Sequence, residues 1–243
     1  MSIATGLPDH ALSYRLPELR SPSFIEFPTG PACRFCAARR GIVEPVTIYR
    51  DSYAKLCLRH RVWVGGDNLD TQVDVSALPE LTNAQRRHRN LVRHRPGYAE
   101  FVYTTAERIV SGWTARRLWG ESRDRRLFTL FGDEPARFPR DSTEFNIANY
   151  PEIVSLTSIL ISYHWITKAV SPERTPEDLR QFYAEVRHRL GIDIGRDGFV
   201  DQHDPLTVWV EKQQHNLERN HYQRDHTQPL RQRTTPTTWQ EVG

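Results

Sequence analysis

The pattern of apolar and polar positions changes at about residue 76, after which apolar residues recur at helical spacing. The first such stretch is SALPELTNAQRRHRNLVRHR, which offers Ser76 as an N-cap and Pro79 near the first turn. Its apolar stripe falls on Leu81, Ala84, His88, Leu91 and Val92. Pro96 and Gly97 then stop the helix. The pattern predicts an amphipathic helix that opens a helical domain over residues 76–200.

Further segments continue the helical pattern. Residues 98–119 carry one apolar stripe, which predicts a helix packed on one side. The stripe consists of Phe101, Val102, Ala106, Ile109, Trp113 and Leu118. Residues 151–169 are apolar almost all round, as is typical of a buried central helix. Between these segments we expect a short helix over residues 123–131 and a loop over EPARFPRDSTEFN.

The best-defined helix lies in SPERTPEDLRQFYAEVRHRLGI. Thr175 is its N-cap, and Pro176 occupies the first helical position, where a missing N–H is tolerated. The acidic residues that follow face the positive end of the helix dipole. Gly191 ends the helix. Beyond it, residues 201–243 predict one short element and, from about Leu217, a disordered polar tail.

The first 75 residues show a different pattern, with prolines, glycines and short β-prone runs. Residues 1–30 carry four prolines and predict an irregular arm. Within residues 31–66, VTIY is β-prone, RDS is turn-like and YAKLC alternates in polarity. These runs predict a short hairpin. The stretch GGDNLDTQVD, residues 65–74, has the composition of a linker.

Overall composition narrows the class of protein. The chain has 243 residues, of which 38% are hydrophobic and 26% are charged, so we expect a globular protein with a proper core. No apolar run approaches the roughly 20 residues of a membrane helix, and we expect no membrane contact. The N-terminus lacks a charged stretch followed by an apolar run. We therefore expect a cytoplasmic location.

All three cysteines lie within 25 residues, in two knuckles with the same internal spacing. Cys33 and Cys36 form the first knuckle, and Cys57 and His60 form the second. Structural zinc prefers four thiolate and imidazole ligands in a tetrahedron, and a gap of two residues lets both side chains of a knuckle face one ion. The sequence therefore predicts a closed, structural zinc site. With it, we predict a mainly α protein in which a small zinc-ribbon-like β-hairpin module precedes a helical bundle.

Two alternative roles for the cysteines stay open at this point. They could be small buried hydrophobic residues, which leaves the repeated spacing to coincidence. A thioredoxin-like redox pair would need a strand before it and a helix after it, whereas a Pro-Gly-Pro segment precedes Cys33. An odd number of cysteines also argues against a disulfide framework.

The cysteine region resembles a known family. A CxxC knuckle, twenty residues, and then CxxHR with an aromatic residue soon after are similar to the zinc module of the TniQ family, whose members help transposons choose DNA targets. LCLRHRVWVGG, which contains the second knuckle, and the later stretch ALPELTNAQRRHRNLVRHR resemble actinobacterial proteins with TniQ-like zinc segments. The resemblance is specific over residues 31–66 and loose over residues 76–215. It implies the same four zinc ligands and an association with double-stranded DNA.

Arginine accounts for almost all of the positive charge. Of 33 basic residues 30 are Arg, although the net charge is only +3. A GC-rich genome would give the same bias, but guanidinium groups also suit phosphate. The predicted contacts to nucleic acid are Arg86, Arg87, Arg89, Arg93, Arg59 and Arg61. ARRLWGESRDRRLF adds a second group, which consists of Arg116, Arg117, Arg123, Arg125 and Arg126. A solvated surface without a partner is the alternative for both groups.

Other histidines suggest weaker possibilities. We expect His88 and His164 to be core residues of their apolar stripes. HNLERNHYQRDH, with His215, His221 and His226, faintly resembles a His-Asn-His nuclease, but we expect neither the hairpin nor the helix of such a site in this polar stretch. We find no phosphate loop, nucleophile elbow or paired-carboxylate motif. The sequence thus predicts a non-enzymatic, TniQ-like, DNA-associated adaptor or regulator. The alternative is a zinc-stabilised protein-interaction module without DNA contact.

Overall fold

The computed structural model describes residues 29–51, 53–66, 72–116, 121–133, 137–139, 142–192 and 203–227. The protein is mainly helical, and small β-hairpins that carry the cysteines and His60 precede the helices, as predicted. It divides into two compact units, Met1–Asn90 and Leu91–Gly243. The expected arm over residues 1–30 lies outside the described residues except for its last two, and the end of the expected tail, residues 228–243, also lies outside them.

The elements of the described residues, in chain order, are β1 (Thr29–Pro31), α1 (Arg34–Ala38), β2 (Thr47–Tyr49), β3 (Leu56–Cys57), β4 (Val62–Trp63), α2 (Pro79–His94), α3 (Tyr98–Ala115), α4 (Glu121–Phe131), α5 (Thr143–Leu160), α6 (Tyr163–Val170), α7 (Pro176–Leu190) and α8 (Pro205–Thr227).

The strands of the first unit pair differently from the predicted hairpin. β2 pairs antiparallel with β1, with Ile48 opposite Gly30. β3 pairs antiparallel with β4, with Leu56 opposite Trp63. The prediction that VTIY pairs with YAKLC is therefore wrong. The physical reason is that the second knuckle itself reverses the chain, so β3 finds its partner in the residues directly after the turn.

Part of the predicted linker belongs to the folded module. Val73 accepts a backbone hydrogen bond from Trp63 at 2.8 Å, and Val75 donates one to the carbonyl of Arg61 at 2.8 Å. Asp74 forms a β-bridge with Val62. Val75 is fully buried. The module therefore extends beyond residue 66, because residues 73–75 line up beside β4 like a further strand.

Helix α2 forms where the apolar stripe predicts it. Leu81, Ala84 and His88 are buried, which confirms His88 as a core residue. The helix begins at Pro79, so Ser76 is not its cap. The backbone N–H of Ser76 instead donates to Asp74 Oδ1 at 2.8 Å, in the turn before the helix.

The centre of the second unit is α5, which is buried along most of its length. The prediction of one helix over residues 151–169 is wrong at both ends. The helix begins at Thr143 behind its N-cap Ser142, and it stops at Leu160 before the separate helix α6. Pro151 lies inside the helix, although proline removes one backbone hydrogen bond there. Burial of Phe145, Ile147 and Ala148 in the added turns offsets that loss.

Helices α3 and α6 show where the apolar stripes mislead. Val102, Ala106, Ile109 and Trp113 of α3 are buried as expected. Phe101 is 66% exposed, so its assignment to the buried stripe is wrong. Leu118 lies outside the described residues. His164, in α6, is exposed rather than in the core, because the break before Tyr163 turns this short helix away from the line of α5.

Helix α7 confirms the predicted capping. Thr175 accepts from the backbone N–H of Asp178, and the Asp178 carboxylate accepts from the backbone N–H of Thr175. Pro176 occupies the first position, and Gly191 at φ 63° ends the helix in the left-handed region. These local signals suffice because each satisfies or removes a backbone group that would otherwise be unpaired at a helix end.

The last described helix, α8, is fixed at its start by a buried carboxylate. Asp204 accepts from the backbone N–H of Leu206 at 2.9 Å and from the indole N–H of Trp113 at 2.7 Å. Gly112, beside Trp113 on α3, lies so close to Pro205 that a Cβ there would be 2.6 Å from the proline ring. The helix runs to Thr227 and so passes Leu217, where the sequence predicts the start of a disordered tail.

No single helix among those described is long and apolar enough to cross a membrane. Helices α5 and α6 reach the necessary length and apolar content only as a pair, and they are bent by 77° at the break between them.

Candidate metal centre

The first knuckle is built at the start of a short helix. Cys33 is the N-cap of α1, and Cys36 lies in the helix. The carbonyl of Cys33 accepts from the backbone N–H of Ala37 at 3.0 Å, which closes the turn. Because residues three apart in a helix share a face, both sulfur atoms point to the same side.

The second knuckle is the turn of the β3–β4 hairpin. Cys57 ends β3, and His60 lies in the turn. The backbone N–H of Arg61 donates to the carbonyl of Cys57 at 2.7 Å. Arg61 has φ 52°, and among the described residues it alone of the non-glycines has a positive φ. This tight, left-handed turn brings the thiol and the imidazole of the knuckle to one point.

The two knuckles meet, and their ligand atoms all lie within 4.8 Å of one another. The sulfur atoms of Cys36 and Cys57 are 3.8 Å apart. The distances from His60 Nδ1 to the three sulfur atoms are 3.4 Å to Cys33, 3.3 Å to Cys36 and 3.7 Å to Cys57. A tetrahedral zinc ion with bonds of about 2.3 Å to sulfur and about 2.0 Å to nitrogen implies edges of about 3.8 Å and about 3.5 Å. The four side chains therefore could hold a metal ion such as zinc.

The electrostatics of the cluster favour a cation among the thiols. Burial raises the pKa of Cys33, although hydrogen bonds from the backbone N–H groups of Cys36 and Phe35 lower it. Burial, followed by the neighbouring Cys57 thiol, raises the pKa of Cys36 to about 11. Crowded thiolates repel one another, so a divalent cation at their centre is what makes deprotonation favourable.

The imidazole of His60 is held by an aromatic neighbour. The Phe35 ring lies 5.5 Å from the His60 ring, centroid to centroid, and is tilted by 43°. The guanidinium of Arg34 covers the Phe35 ring at 4.9 Å. Phe35 thus supports the ring plane that aims Nδ1 at the sulfur atoms.

Two glutamines that the sequence patterns do not single out hold the backbone beside the knuckles. Gln72 accepts from the N–H of Arg34 at 3.0 Å and donates to the carbonyl of Ala32 at 2.6 Å. Gln85, on α2, accepts from the N–H groups of Lys55 and Leu56, each at 3.0 Å. An amide within the buried stripe of α2 is a detectable signal for Gln85. Gln72 lies in a turn-rich stretch, where no pattern distinguishes it.

The predicted nucleic-acid contacts lie at two places in the structure. Arg59 and Arg61 are exposed on the second knuckle. The exposed side of α2 carries Arg86, Arg87, Arg89 and Arg93. Arg86 donates to Asn83 Oδ1 at 3.3 Å. In the second arginine group, Arg123 and Arg126 of α4 are buried and cannot reach phosphate, whereas Arg116 and Arg125 are exposed. Arg117 lies outside the described residues.

The three histidines of the nuclease-like stretch do not lie on a hairpin. The positions of His215, His221 and His226 all fall on the continuous helix α8. His215 is exposed, and the side chains of the other two lie outside the described part of the chain. A metal site of that class needs a hairpin beside a helix, so the local backbone does not fit it.

Comparisons with protein-family models, with curated proteins and with solved structures find no match for this chain. The resemblance to the TniQ family stays a prediction.

Proposed function

We propose that the protein is a DNA-associated adaptor or regulator whose N-terminal module is stabilised by one structural zinc ion. The observation that carries the zinc part of this proposal is the close approach of the ligand atoms of Cys33, Cys36, Cys57 and His60, all within 4.8 Å of one another. Three thiolates and one imidazole select zinc over harder cations. The four protein ligands complete the coordination shell, so the ion has a structural rather than a catalytic role.

The exposed arginines of α2 support the association with DNA. The helix buries Leu81, Ala84 and His88 on one side and presents its arginines on the other. Glu80 is the single acidic residue of α2 and lies in its first turn. A helix that is packed on its apolar side and exposes arginines on the other side suits phosphate groups, because release of counterions from DNA drives such binding. The TniQ-like spacing points to the same partner.

A protein partner is the second candidate, and a group of exposed apolar residues favours it. The group comprises Phe35 in the first knuckle, and Ile42, Val43, Ile48 and Tyr49 between the two knuckles. Val43 is 89% exposed. A cavity of about 320 Å³, lined mainly by apolar side chains such as Val46 and Leu56, lies beside them. Exposed apolar patches of this kind are typical of protein-interaction surfaces.

A metal assay and a salt titration test the proposal together. We expect one zinc per purified chain, and binding to random duplex DNA that weakens steeply with salt. Each phosphate contact contributes about −0.9 to the slope of log K against log salt, so Arg86/Arg89/Arg93→Gln should reduce the slope by roughly three. The matched control is Arg180/Arg187/Arg189→Gln on α7, which should leave the slope unchanged. Absence of binding at low salt would favour the protein partner.

A further inference from the structure

Gln85 connects the arginine-bearing helix to the strand that supplies a zinc ligand. Its side-chain oxygen accepts from the N–H groups of Lys55 and Leu56, and its side-chain nitrogen donates to the carbonyl of Tyr53 at 2.9 Å. Leu56 and Cys57 form β3. Gln85 is 2% exposed. One buried amide on α2 therefore satisfies three backbone groups within the four residues that precede a ligand.

Packing reinforces the same connection. His88, one turn after Gln85, packs its ring edge-on against Tyr53 with centroids 6.1 Å apart. His88 is 1% exposed. The buried side of α2 thus rests on residues 53–56, whereas its opposite side carries the exposed arginines. Residues 53–56 have little regular structure of their own, since β3 and β4 are only two residues long each.

We propose that Gln85 is a positioning residue that makes the order of α2, and hence the placement of its arginine side, depend on the bound metal. The metal fixes Cys57, Cys57 fixes β3, and the backbone of residues 53–56 is then in place for Gln85. Without the metal, the three backbone groups lose their arrangement and Gln85 loses its partners. The inference rests on the zinc part of the proposed function and extends it to regulation of the predicted DNA contacts.

Gln72 provides the matched comparison within the same chain. It is also a glutamine that bonds backbone on both sides of a ligand, through Ala32 and Arg34 around Cys33. It does not lie on α2, however. Loss of Gln72 should weaken metal binding at the first knuckle while it leaves the connection from metal to helix intact.

Hydrogen exchange of the full chain tests the inference, with excess zinc and after chelation, on peptides that cover residues 79–90. We expect wild-type amides of α2 to exchange roughly ten- to 100-fold faster after chelation, as three buried hydrogen bonds and their packing are released. In Gln85→Leu, the ratio of the exchange rate after chelation to the rate with excess zinc should fall close to one. The zinc content of the loaded variant is checked first. In Gln72→Leu, the same ratio should equal the wild-type ratio, provided that enough zinc is added to load the variant before chelation.

Several results would overturn the inference. One is equal exchange of wild-type α2 with and without zinc. Another is a Gln85→Leu chain that binds zinc and shows the same ratio of exchange rates as the wild type. Should Gln85→Leu fail to fold, Gln85→Glu serves instead. It keeps the two accepted bonds but sets an oxygen against the Tyr53 carbonyl, so we expect an intermediate ratio, and an unchanged ratio would contradict us. A wild-type chain without zinc refutes the proposed function and this inference together, whereas zinc-dependent protection without DNA binding refutes only the DNA contact.

Discussion

Arg126 and Glu152 form a buried ion pair that joins α4 to α5. Arg126 Nη1 donates to Glu152 Oε2 at 3.1 Å, and Nη2 donates to the other carboxylate oxygen. The guanidinium also donates to the carbonyl and the hydroxyl of Ser122. Arg126 is 2% exposed and Glu152 is 9% exposed. The arginine is therefore part of the interior of the second unit and takes no part in phosphate binding.

Removal of one partner of this pair should destabilise the second unit strongly. Arg126→Leu leaves the Glu152 carboxylate buried without its main partner, which costs about 3–5 kcal/mol in the free energy of unfolding. The double variant Arg126→Leu/Glu152→Leu should lose much less, because neither charge is then left alone. Denaturant unfolding of the wild type and both variants measures this. Equal losses in the single and the double variant would contradict the prediction.

The second knuckle should tolerate, and gain from, glycine at position 61. Arg61 adopts φ 52°, a conformation that disfavours side chains with a Cβ. We expect Arg61→Gly to raise the free energy of unfolding of the zinc-loaded first unit by about 1 kcal/mol. Arg61→Ala is the control, since it removes the guanidinium but keeps the Cβ and should not stabilise. If both variants behave alike, the backbone is not strained there.

His88 should make the first unit less stable in mild acid. Burial, followed by the charge of Lys55, lowers the pKa of His88 from 6.5 to about 3. Below about pH 6.5 the unfolded chain binds a proton at this side chain that the folded chain does not, so stability falls as the pH falls through this window. Between about pH 7.5 and about pH 5 the loss should be about 2 kcal/mol.

The control for this effect is His88→Leu, which retains the burial but cannot titrate. Both chains carry the same zinc ligands, whose protonation also weakens metal binding in acid. The difference between the two unfolding curves, measured with zinc in excess, isolates the histidine. A constant difference across the pH range would show that His88 does not titrate on unfolding.

Loss of one zinc ligand should unfold the module and loosen α2, while the second unit stays folded. Cys57→Ser should abolish the bound zinc and unfold residues 31–66, because metal binding supplies on the order of 10 kcal/mol to modules of this kind. Leu58→Ser, one residue away and not a ligand, should keep the metal. Zinc content, together with the near-ultraviolet signal of Trp63 in the module, distinguishes the two variants. Zinc retained at full occupancy in Cys57→Ser would remove that residue from the ligand set.

Local chemistry explains which elements could be predicted from the sequence. Helix α7 follows directly from Thr175, Pro176 and Gly191, because each acts on backbone groups within one turn. The four ligands follow from their spacing, since two knuckles of equal length leave few other uses for cysteine. The apolar stripes predict the buried side of a helix correctly where only one side is buried. They fail at Phe101, which is apolar and belongs to the stripe but lies outside the core.

The remaining features depend on contacts between distant residues. The pairing of β2 with β1 joins segments on either side of the first knuckle, and β-propensity alone cannot choose that partner. Pro151 suggests a helix start, yet tertiary burial carries α5 through it. Gln72 and Gln85 act on backbone groups tens of residues away. A buried amide in the α2 stripe can indicate Gln85, but no local pattern encodes the partners of either glutamine.

The close contact between Gly112 and Pro205 restricts which amino acids residue 112 can be. Alanine would favour a helix by about 1 kcal/mol at such a position. A methyl group there would collide with the ring of Pro205, the first residue of α8. A side chain larger than that of glycine at residue 112 therefore requires Pro205 to shift. A weak helix former in the last turn of α3 is here the condition for α3 and α8 to touch.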